Sequence, residues 1–377
     1  MGILLDFTGS APPLSTVRAH VAARAARIPS LGYRVAPDGR SARLVPEFAA
    51  EEHVFELELP QDKHGSEAGR LMLSLPLPEA PPWDVWLIRR GDDAYTLCYR
   101  SDHALRDGTS TGCITRMLLD DQPNWRPRLV PLLRPGLGGF ASVLREGVSA
   151  MCTPTAAPAF AGELTAVPEV FHVDTALETL REVGRAHGAT VNDVYLAALS
   201  EAVRRWYAER TDRAHPPFPV SMPLSVRGPG EETTVGNKVA GARLTLPCDP
   251  RGPAAGLRQI VVQTRRLRER RHRYASNLLI NAVPRDVGAR VALHMADPAA
   301  IAAVTSNVDV GPALVHQGAQ AGQAALLTSL AAGLRCFTAL TGYHDNARLT
   351  VVHDACFTGI QRLGEHWVAA VHTLATD

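Results

Sequence analysis

The sequence lacks the patterns that mark membrane-spanning, secreted and zinc-ribbon proteins. No apolar run is long enough to span a bilayer, and no basic segment followed by an apolar run opens the chain, so we expect neither a transmembrane helix nor a signal peptide. The six cysteines are scattered without a C-x-x-C pair, which argues against a zinc or redox motif and fits a reducing cytosol. The formal net charge of +1 gives no strong attraction to nucleic acid or anionic membrane. These absences predict a cytoplasmic protein without bound metal or nucleic acid, and with at most peripheral membrane contact.

What is present is a chain of 377 residues with 46% hydrophobic and 20% charged residues, enough for two globular domains with large cores. Residues 122–168 are rich in proline and glycine, which is typical of a crossover linker. We therefore predict an N-terminal domain over 1–125, a linker over 126–168 and a C-terminal domain over 169–377. The glycines after Gly136 do not lie between a strand and a helix, so they do not form a dinucleotide fingerprint.

The densest set of ionisable groups on an apolar background lies within Tyr95–Leu119. A β-favouring run leads into a polar elbow, and apolar residues at helical spacing follow it. His103 ends the strand, and a histidine there suits general-base chemistry because its pKa lies near neutral pH. Asp107 follows four residues later, and we expect Gly108 to allow a bend that a β-carbon would obstruct.

The remaining elements are predicted from hydrophobic spacing and turn residues. The first half is expected to hold a helix over 14–27 and a hairpin of strands over 83–89 and 94–100. In the second half Asp174 is expected to cap a helix that ends at Gly188, and Thr190 with Asp193 resembles a capping box. Further strands are predicted over 218–226, 239–246, 302–311, 334–343 and 348–353, with helices over 254–275 and 358–374.

The segment Asp102-His103-Ala104-Leu105-Arg106-Asp107-Gly108 resembles the H-H-x-x-x-D-G motif of CoA-dependent acyltransferases built like chloramphenicol acetyltransferase. The rest of the chain, over roughly residues 35–375, is similar to the wax ester synthase/diacylglycerol acyltransferase branch. Its N-D, P-V-S-x-R, G-N and S-N motifs correspond in order to Asn192-Asp193, 219–227 ending at Arg227, Gly236-Asn237 and Ser306-Asn307. Asp102 replaces the first histidine of that branch. This matches the D-H-x-x-x-D-G form of dihydrolipoyl acyltransferases, in which only the second histidine transfers protons.

The resemblance implies an α/β fold of two chloramphenicol acetyltransferase-like domains, with mixed sheets, helices and a tunnel at their interface. It implies transfer of an acyl group from a CoA or carrier-protein thioester to a small hydroxyl acceptor, in natural-product or lipid tailoring, without a bound cofactor. His103 would be the general base and Thr305 or Ser306 would stabilise the oxyanion. Asp107 would be structural, with Arg227 as its candidate partner. Asn192, Asp193, Asn237 and Asn307 are candidates for lining the tunnel.

Several alternatives remain open at this stage. Wax ester or triacylglycerol synthesis and amide-forming condensation are variants of acyl transfer, whereas a non-catalytic homologue would only bind a partner. Gly108–Gly112 matches G-x-S-x-G, so a hydrolase with Ser110 as its nucleophile is a rival, although helix capping by Ser110 is favoured. Asp102, His103 and Asp107 offer two carboxylate oxygens and one imidazole nitrogen to a divalent ion, but no further histidine pair supports a metal site. Asp193 is favoured as a helix cap. A solvated helix face is favoured for the six arginines at 265, 266, 268, 270, 271 and 273, and docking of CoA phosphates or of an acidic carrier protein is their functional alternative.

Overall fold

The computed structural model describes residues 1–39, 41–60, 65–134, 136–152, 157–282 and 300–377. Two mixed sheets, each covered by helices, build two lobes, so the expected α/β fold is confirmed. The helices and strands in chain order are β1 (Gly2–Thr8), α1 (Leu14–Ala25), β2 (Tyr33–Val35), β3 (Ala42–Leu44), β4 (Val54–Leu59), α2 (Gly65–Ser74), β5 (Trp83–Arg90), β6 (Ala94–Ser101), α3 (Gly108–Leu119), α4 (Leu137–Cys152), β7 (Pro168–Ala176), α5 (Leu177–Ala186), α6 (Val191–Thr211), β8 (Phe218–Ser225), β9 (Val239–Leu246), α7 (Pro253–Glu269), α8 (His272–Ala282), β10 (Ala303–Gly311), β11 (Val315–His316), β12 (Ala319–Gln320), β13 (Gln323–Leu327), β14 (Cys336–Tyr343), β15 (Asn346–Asp354) and α9 (Gln361–Thr376).

The first lobe is built on a five-stranded sheet in the order β13-β1-β6-β5-β4. Only β4 and β5 run parallel, and the other neighbours are antiparallel. Strand β1, for which the sequence analysis made no prediction, lies second from the edge. Its Ile3, Leu5 and Phe7 are buried on one face and Leu4 on the other, because α1 and α3 cover one side of the sheet and the second lobe covers part of the other.

The second lobe is built on a six-stranded sheet in the order β7-β15-β14-β10-β8-β9. Strand β10 lies inside this sheet, parallel to both β14 and β8. Helices α5, α6, α7 and α9 pack together on one face, and the side chains of Trp206 and Trp367 fill the core between helices and sheet. Burial of such large aromatic side chains contributes strongly to the stability of a lobe.

One strand of the first sheet comes from the second half of the chain. Strand β13 follows the second-lobe strand β10 in the chain, yet it pairs with β1 at the edge of the first sheet, with Gly2 opposite Leu327. The first sheet therefore has all five of its strands only when a segment from residues 169–377 pairs with it. The domain boundaries at 125 and 169 stay a prediction, as does the tunnel.

The predicted linker holds more structure than its composition suggested. Residues 123–134 form neither helix nor strand, as expected where prolines remove backbone donors. Helix α4 then follows, and a short 3-10 turn covers Pro158–Phe160. Position 135 and positions 153–156 of the linker lie outside the described residues.

Two local predictions in the second half are wrong. Asp174 does not cap a helix. It lies in β7 and accepts hydrogen bonds from Arg348 at 2.8 and 2.9 Å, while α5 starts after Ala176 without a side-chain cap. The predicted single helix 254–275 is two helices, because Arg271 takes a left-handed conformation with φ of 52°.

The arginines of this region are not simply a solvated face. Arg270 donates to the hydroxyl of Ser142, Arg271 to the carbonyl of Arg134, and Arg273 to the carbonyl of Val130. Three of the six therefore hold the linker segment against α8. Arg265, Arg266 and Arg268 are exposed. Within the described part of the chain, none of the helices combines the length and the apolarity needed to cross a bilayer.

Candidate active site

The turn that follows β6 carries His103, and Asp102 shapes it. The Asp102 carboxylate accepts a hydrogen bond from the backbone N–H of Ala104 at 2.7 Å, and its carbonyl accepts one from Leu105 at 3.1 Å. An aspartate that bonds its own backbone two residues on is a common turn former. Asp102 is therefore a structural residue that closes the turn.

His103 is half-buried, and its tautomer is set by the backbone. Its Nδ1 lies 2.9 Å from the carbonyl oxygen of Arg106, which can only accept, so Nδ1 carries the proton and donates it. Nε2 is then the unprotonated nitrogen with a free lone pair. Burial is the largest cause that lowers the pKa of His103 below its ordinary value of 6.5, so the ring is neutral at pH 7. This is the state that a general base requires.

Asp107 is buried and fully engaged. It is the N-cap of α3 and accepts from the N–H of Ser110 at 3.1 Å, and its other oxygen accepts from Arg227 Nε at 2.6 Å and from the N–H of Lys238 at 3.0 Å. The expected ion pair of Asp107 with Arg227 is therefore present, and both side chains are almost completely buried. A carboxylate held this way by a guanidinium and two N–H groups is not placed to accept a proton from a substrate.

A loop of the second lobe, residues 226–238, holds the histidine turn, and we call it the latch loop. Besides Asp107, Arg227 binds the carbonyls of Glu231, Thr234 and Gly236, which fixes the loop. The N–H groups of Gly236 and Asn237 then donate to the carbonyls of Leu105 and Ala104 at 2.9 and 3.1 Å. Gly236 has a φ of 111°, which a side chain would disfavour.

The side chain of Asn237 is exposed beside the imidazole, with its amide nitrogen 3.3 Å from His103 Nδ1. The backbone N–H of Asn237 donates to the turn, and this bond holds the side chain next to the ring. Asn237 thus lies where a group of the second lobe meets the candidate base of the first.

Helix α3 approaches β10 closely at Gly108. A β-carbon on Gly108 would lie 2.8 Å from Val308 Cγ2, which is closer than carbon atoms pack. The expectation that glycine is needed here for a bend is wrong, because its φ is not positive. Glycine is needed instead for the contact between a first-lobe helix and a second-lobe strand.

Ser306 and Thr305 lie on opposite faces of β10, because side chains alternate along a strand. Ser306 shares the face of Val308, the residue that touches Gly108, and is partly exposed. Thr305 is 1% exposed and its hydroxyl lies 3.4 Å from the carbonyl of Ser221 in the second sheet. Of the two oxyanion candidates, only Ser306 lies on the face turned towards α3.

The remaining candidates are placed at helix α6 and on β10. Thr190 and Asp193 form the expected capping box, and Asp193 also lies 3.8 Å from Arg268. The amide of Asn192 lies 3.3 Å from the sulfur of Met222 in β8. Asn307 is exposed. Asn192 and Asp193 thus contact other residues of the second lobe and, among the described residues, not the histidine turn.

Ser110 is in the third position of α3, not at an elbow, and its side chain is completely buried. Its hydroxyl has no hydrogen-bond partner among the residues the structure describes, so no described base activates it. The expectation that Ser110 caps the helix is also wrong, because Asp107 is the cap.

A metal site formed by Asp102, His103 and Asp107 is disfavoured, since Arg227 already neutralises Asp107.

Two contributors to the site carry no sequence signal. The carbonyl of Arg106 sets the imidazole tautomer, and any residue supplies a carbonyl. Val308 makes the close contact with Gly108, whereas its place in the sequence indicates only that it belongs to a strand. Both follow from three-dimensional packing alone.

Comparison with known proteins supports the family resemblance. No family model matches the chain. Two Mycobacterium tuberculosis proteins described as diacylglycerol O-acyltransferases are similar to it: Rv2484c is 30% identical over 30% of this chain, and tgs1 is 23% identical over 82% of this chain and 75% of its own length. The chain spans only 22% of the length of Rv2484c.

Solved structures show the same fold. The wax ester synthase/diacylglycerol acyltransferase from Marinobacter aquaeolei VT8 superposes with a TM-score of 0.67 at 19% identity, covering 100% of this chain and 93% of that one. The starter condensation domain of rhizomide synthetase, solved with C8-CoA and Leu-SNAC, has a TM-score of 0.66 at 13% identity, covering 100% and 89%. The chain therefore has the two-sheet fold of these solved structures, and its ordered motifs are similar to those of wax ester synthase/diacylglycerol acyltransferases.

Proposed function

We propose that the protein transfers an acyl group from a thioester to a hydroxyl acceptor, with His103 as the general base. The observation that carries this proposal is the imidazole at the junction of the lobes, with Nδ1–H bound to the Arg106 carbonyl and Nε2 left free. A neutral imidazole held in one tautomer, beside a loop of the opposite lobe, is the arrangement that proton abstraction requires.

The reaction balances without a covalent enzyme intermediate. Nε2 of His103 takes the proton of the acceptor hydroxyl, and the acceptor oxygen attacks the carbonyl carbon of the thioester. The tetrahedral oxyanion collapses, the carbon–sulfur bond breaks, and the thiolate takes the proton back from the imidazolium. An ester and a free thiol leave, and the histidine is neutral again.

Ser306 is the candidate donor to the oxyanion, because it lies on the face of β10 that is turned towards α3. A hydrogen-bond donor aimed at an oxyanion is worth about 2.7–4 kcal/mol in the transition state. We expect Ser306→Ala to lower kcat by about 10²–10³ while leaving KM nearly unchanged. A change confined to KM would remove this role.

The thioester would be that of CoA or of an acyl carrier protein. A relative described as a diacylglycerol O-acyltransferase favours an alcohol acceptor, while the condensation-domain neighbour was solved with both C8-CoA and Leu-SNAC. Amide formation is therefore the second candidate. Wax ester or triacylglycerol synthesis is the long-chain form of the first.

The experiment is a thiol-release assay with a panel of acyl-CoA and acyl-carrier thioesters, each with alcohols, with amines and with water alone. We expect acceptor-dependent release with alcohols, its loss in His103→Ala, and its retention in Ser110→Ala and in the matched control His372→Ala, an exposed histidine on α9. Release in His103→Ala equal to wild type would overturn the proposal. Dependence on Ser110 would favour a hydrolase, and absence of release with every pair would favour a non-catalytic homologue.

A further inference from the structure

A second cluster of titratable side chains lies in the first lobe, away from the histidine turn. His20 is on α1, Asp121 follows the end of α3, and His316 is in β11. One ligand atom from each residue lies within 4.8 Å of the other two. The three residues belong to three separate elements, so no sequence spacing marks them.

The two imidazoles present nitrogen atoms without partners. His316 is completely buried, and its Nδ1 donates to the carbonyl of Leu119 at 2.7 Å, which leaves Nε2 with a free lone pair. Nε2 of both His316 and His20 is buried without a hydrogen-bond partner among the described residues, and the ring centroids are 4.7 Å apart. A buried ring nitrogen without a partner is costly unless something binds it.

The carboxylate of Asp121 is held in place by backbone N–H groups. Its oxygens accept from the N–H groups of Gln317 and Gly318 at 3.1 and 3.0 Å, and each oxygen keeps a further lone pair. These two residues form the tight turn between β11 and β12, where Gln317 has a φ of 51°. Arg24 binds the backbone carbonyl of Asp121 at 2.7 Å.

The outer contacts match those of metal ligands. A metal-binding histidine usually donates its second ring N–H to a carbonyl or carboxylate, as His316 does to Leu119. The amide of Gln317 lies 3.2 Å from His20 Nδ1, and its oxygen, once turned to the ring, accepts that N–H and leaves Nε2 as the ligand.

We propose that His20, Asp121 and His316 bind one zinc ion. Two imidazole nitrogens and one carboxylate oxygen form a common zinc ligand set, with a water in the fourth tetrahedral position. Zinc bonds of about 2.0–2.1 Å place tetrahedral ligand atoms about 3.3 Å apart, so the widest pair closes by at most about 1.5 Å. His20 is partly exposed, so rotation of its ring can bring its nitrogen closer to the other two ligand atoms.

The ion would lie outside the acyl-transfer site. It would tie α1 to the end of α3 and to the β11–β12 hairpin. Helix α3 has 12 residues and is therefore about 18 Å long, with Asp107 at one end and Leu119 at the other. The zinc site and the His103 site are thus at opposite ends of one helix, and the zinc proposal does not depend on the proposed function.

The test is zinc and cobalt titration of tag-free protein that has been dialysed against a chelator. We expect one equivalent of Zn²⁺ by calorimetry, the intense visible bands of four-coordinate Co²⁺, and a rise of Tm with Zn²⁺. His20→Gln and Asp121→Asn should weaken binding at least about tenfold and abolish the Tm rise. His372→Gln, at an exposed position on α9, should behave like wild type.

Circular dichroism of each variant keeps the result interpretable. Asp121 also anchors the β11–β12 turn, so if Asp121→Asn fails to fold, His20→Gln decides alone. Wild type without stoichiometric binding would overturn the proposal. So would His20→Gln binding Zn²⁺ as tightly as wild type.

Discussion

Replacing Asp107 by asparagine separates its charge from its shape. Asparagine is as good an N-cap as aspartate, so the bond to the N–H of Ser110 can persist. The second oxygen accepts from two donors, Arg227 Nε at 2.6 Å and the N–H of Lys238 at 3.0 Å. In the variant the amide NH2 group takes the place of this oxygen and faces both donors. Arg227 would then be a buried cation without its counter-ion.

The expected cost follows from burial. Removing one partner of a buried ion pair destabilises a protein by about 3–5 kcal/mol, because the desolvation of the other charge is no longer compensated. Asp107→Ala should lose about 0.5–2 kcal/mol more, since the helix cap disappears as well. The measurement is urea unfolding at pH 7, followed by circular dichroism, for wild type and both variants.

Two results would refute this reasoning. If Asp107→Asn lies within about 1 kcal/mol of wild type, the pair behaves like a surface ion pair and its burial adds nothing. If it keeps its stability but loses turnover, Asp107 takes part in the chemistry. As a control, a double-mutant cycle with Arg227→Met should show that the costs of the two single variants do not add.

Three further outcomes are expected. Because burial lowers the pKa of His103, kcat/KM should fall only as pH drops through an apparent pKa below 6.5, and a pH–rate profile with a midpoint above 6.5 would contradict the neutral base. Gly108→Ala should cost about 1–3 kcal/mol in urea unfolding because its β-carbon meets Val308, and adding Val308→Ala should recover much of it; equal stability of Gly108→Ala and wild type would argue against the close contact. Asp6→Asn should cost about 1–3 kcal/mol at pH 7, since Arg348 and Arg90 lower the pKa of Asp6 against the opposing effect of burial. The Asp6 carboxylate contributes to the free energy of unfolding above pH 3.8, and this contribution is lost as pH falls through the lower pKa of the folded state. Equal stability of wild type and Asp6→Asn at pH 7 would contradict the prediction.

The elements with a clear period were predictable from the sequence. Helix α1 follows the four-residue spacing of Val17, Val21 and Ala25, and the β5–β6 hairpin follows a β-favouring pattern. The capping box at Thr190 is a local rule that holds. Local rules fail where a distant contact competes. Asp174 suits a helix cap, but Arg348 on the neighbouring strand binds it, so β7 continues to Ala176.

The candidate site divides in the same way. His103, Asp107 and the ion pair with Arg227 were predictable, since they belong to motifs with recognisable order. The hydrogen bond to the Arg106 carbonyl, the latch loop over the turn and the contact of Gly108 with Val308 were not. They depend on which backbone groups meet after folding, and backbone groups carry no residue identity.

The position of His103, the candidate base, is therefore set by both lobes. The first lobe supplies the turn, the imidazole and the carbonyl that fixes its tautomer. The second supplies Arg227, the backbone donors of residues 236–238 and the face of β10. Strand β13 and the bond of Arg348 to Asp6 join the lobes at other points of the interface. Since a small misplacement of a catalytic group costs a large part of its rate, substitutions at these remote contacts should lower turnover by changing how the lobes meet, even though none of them touches the histidine turn.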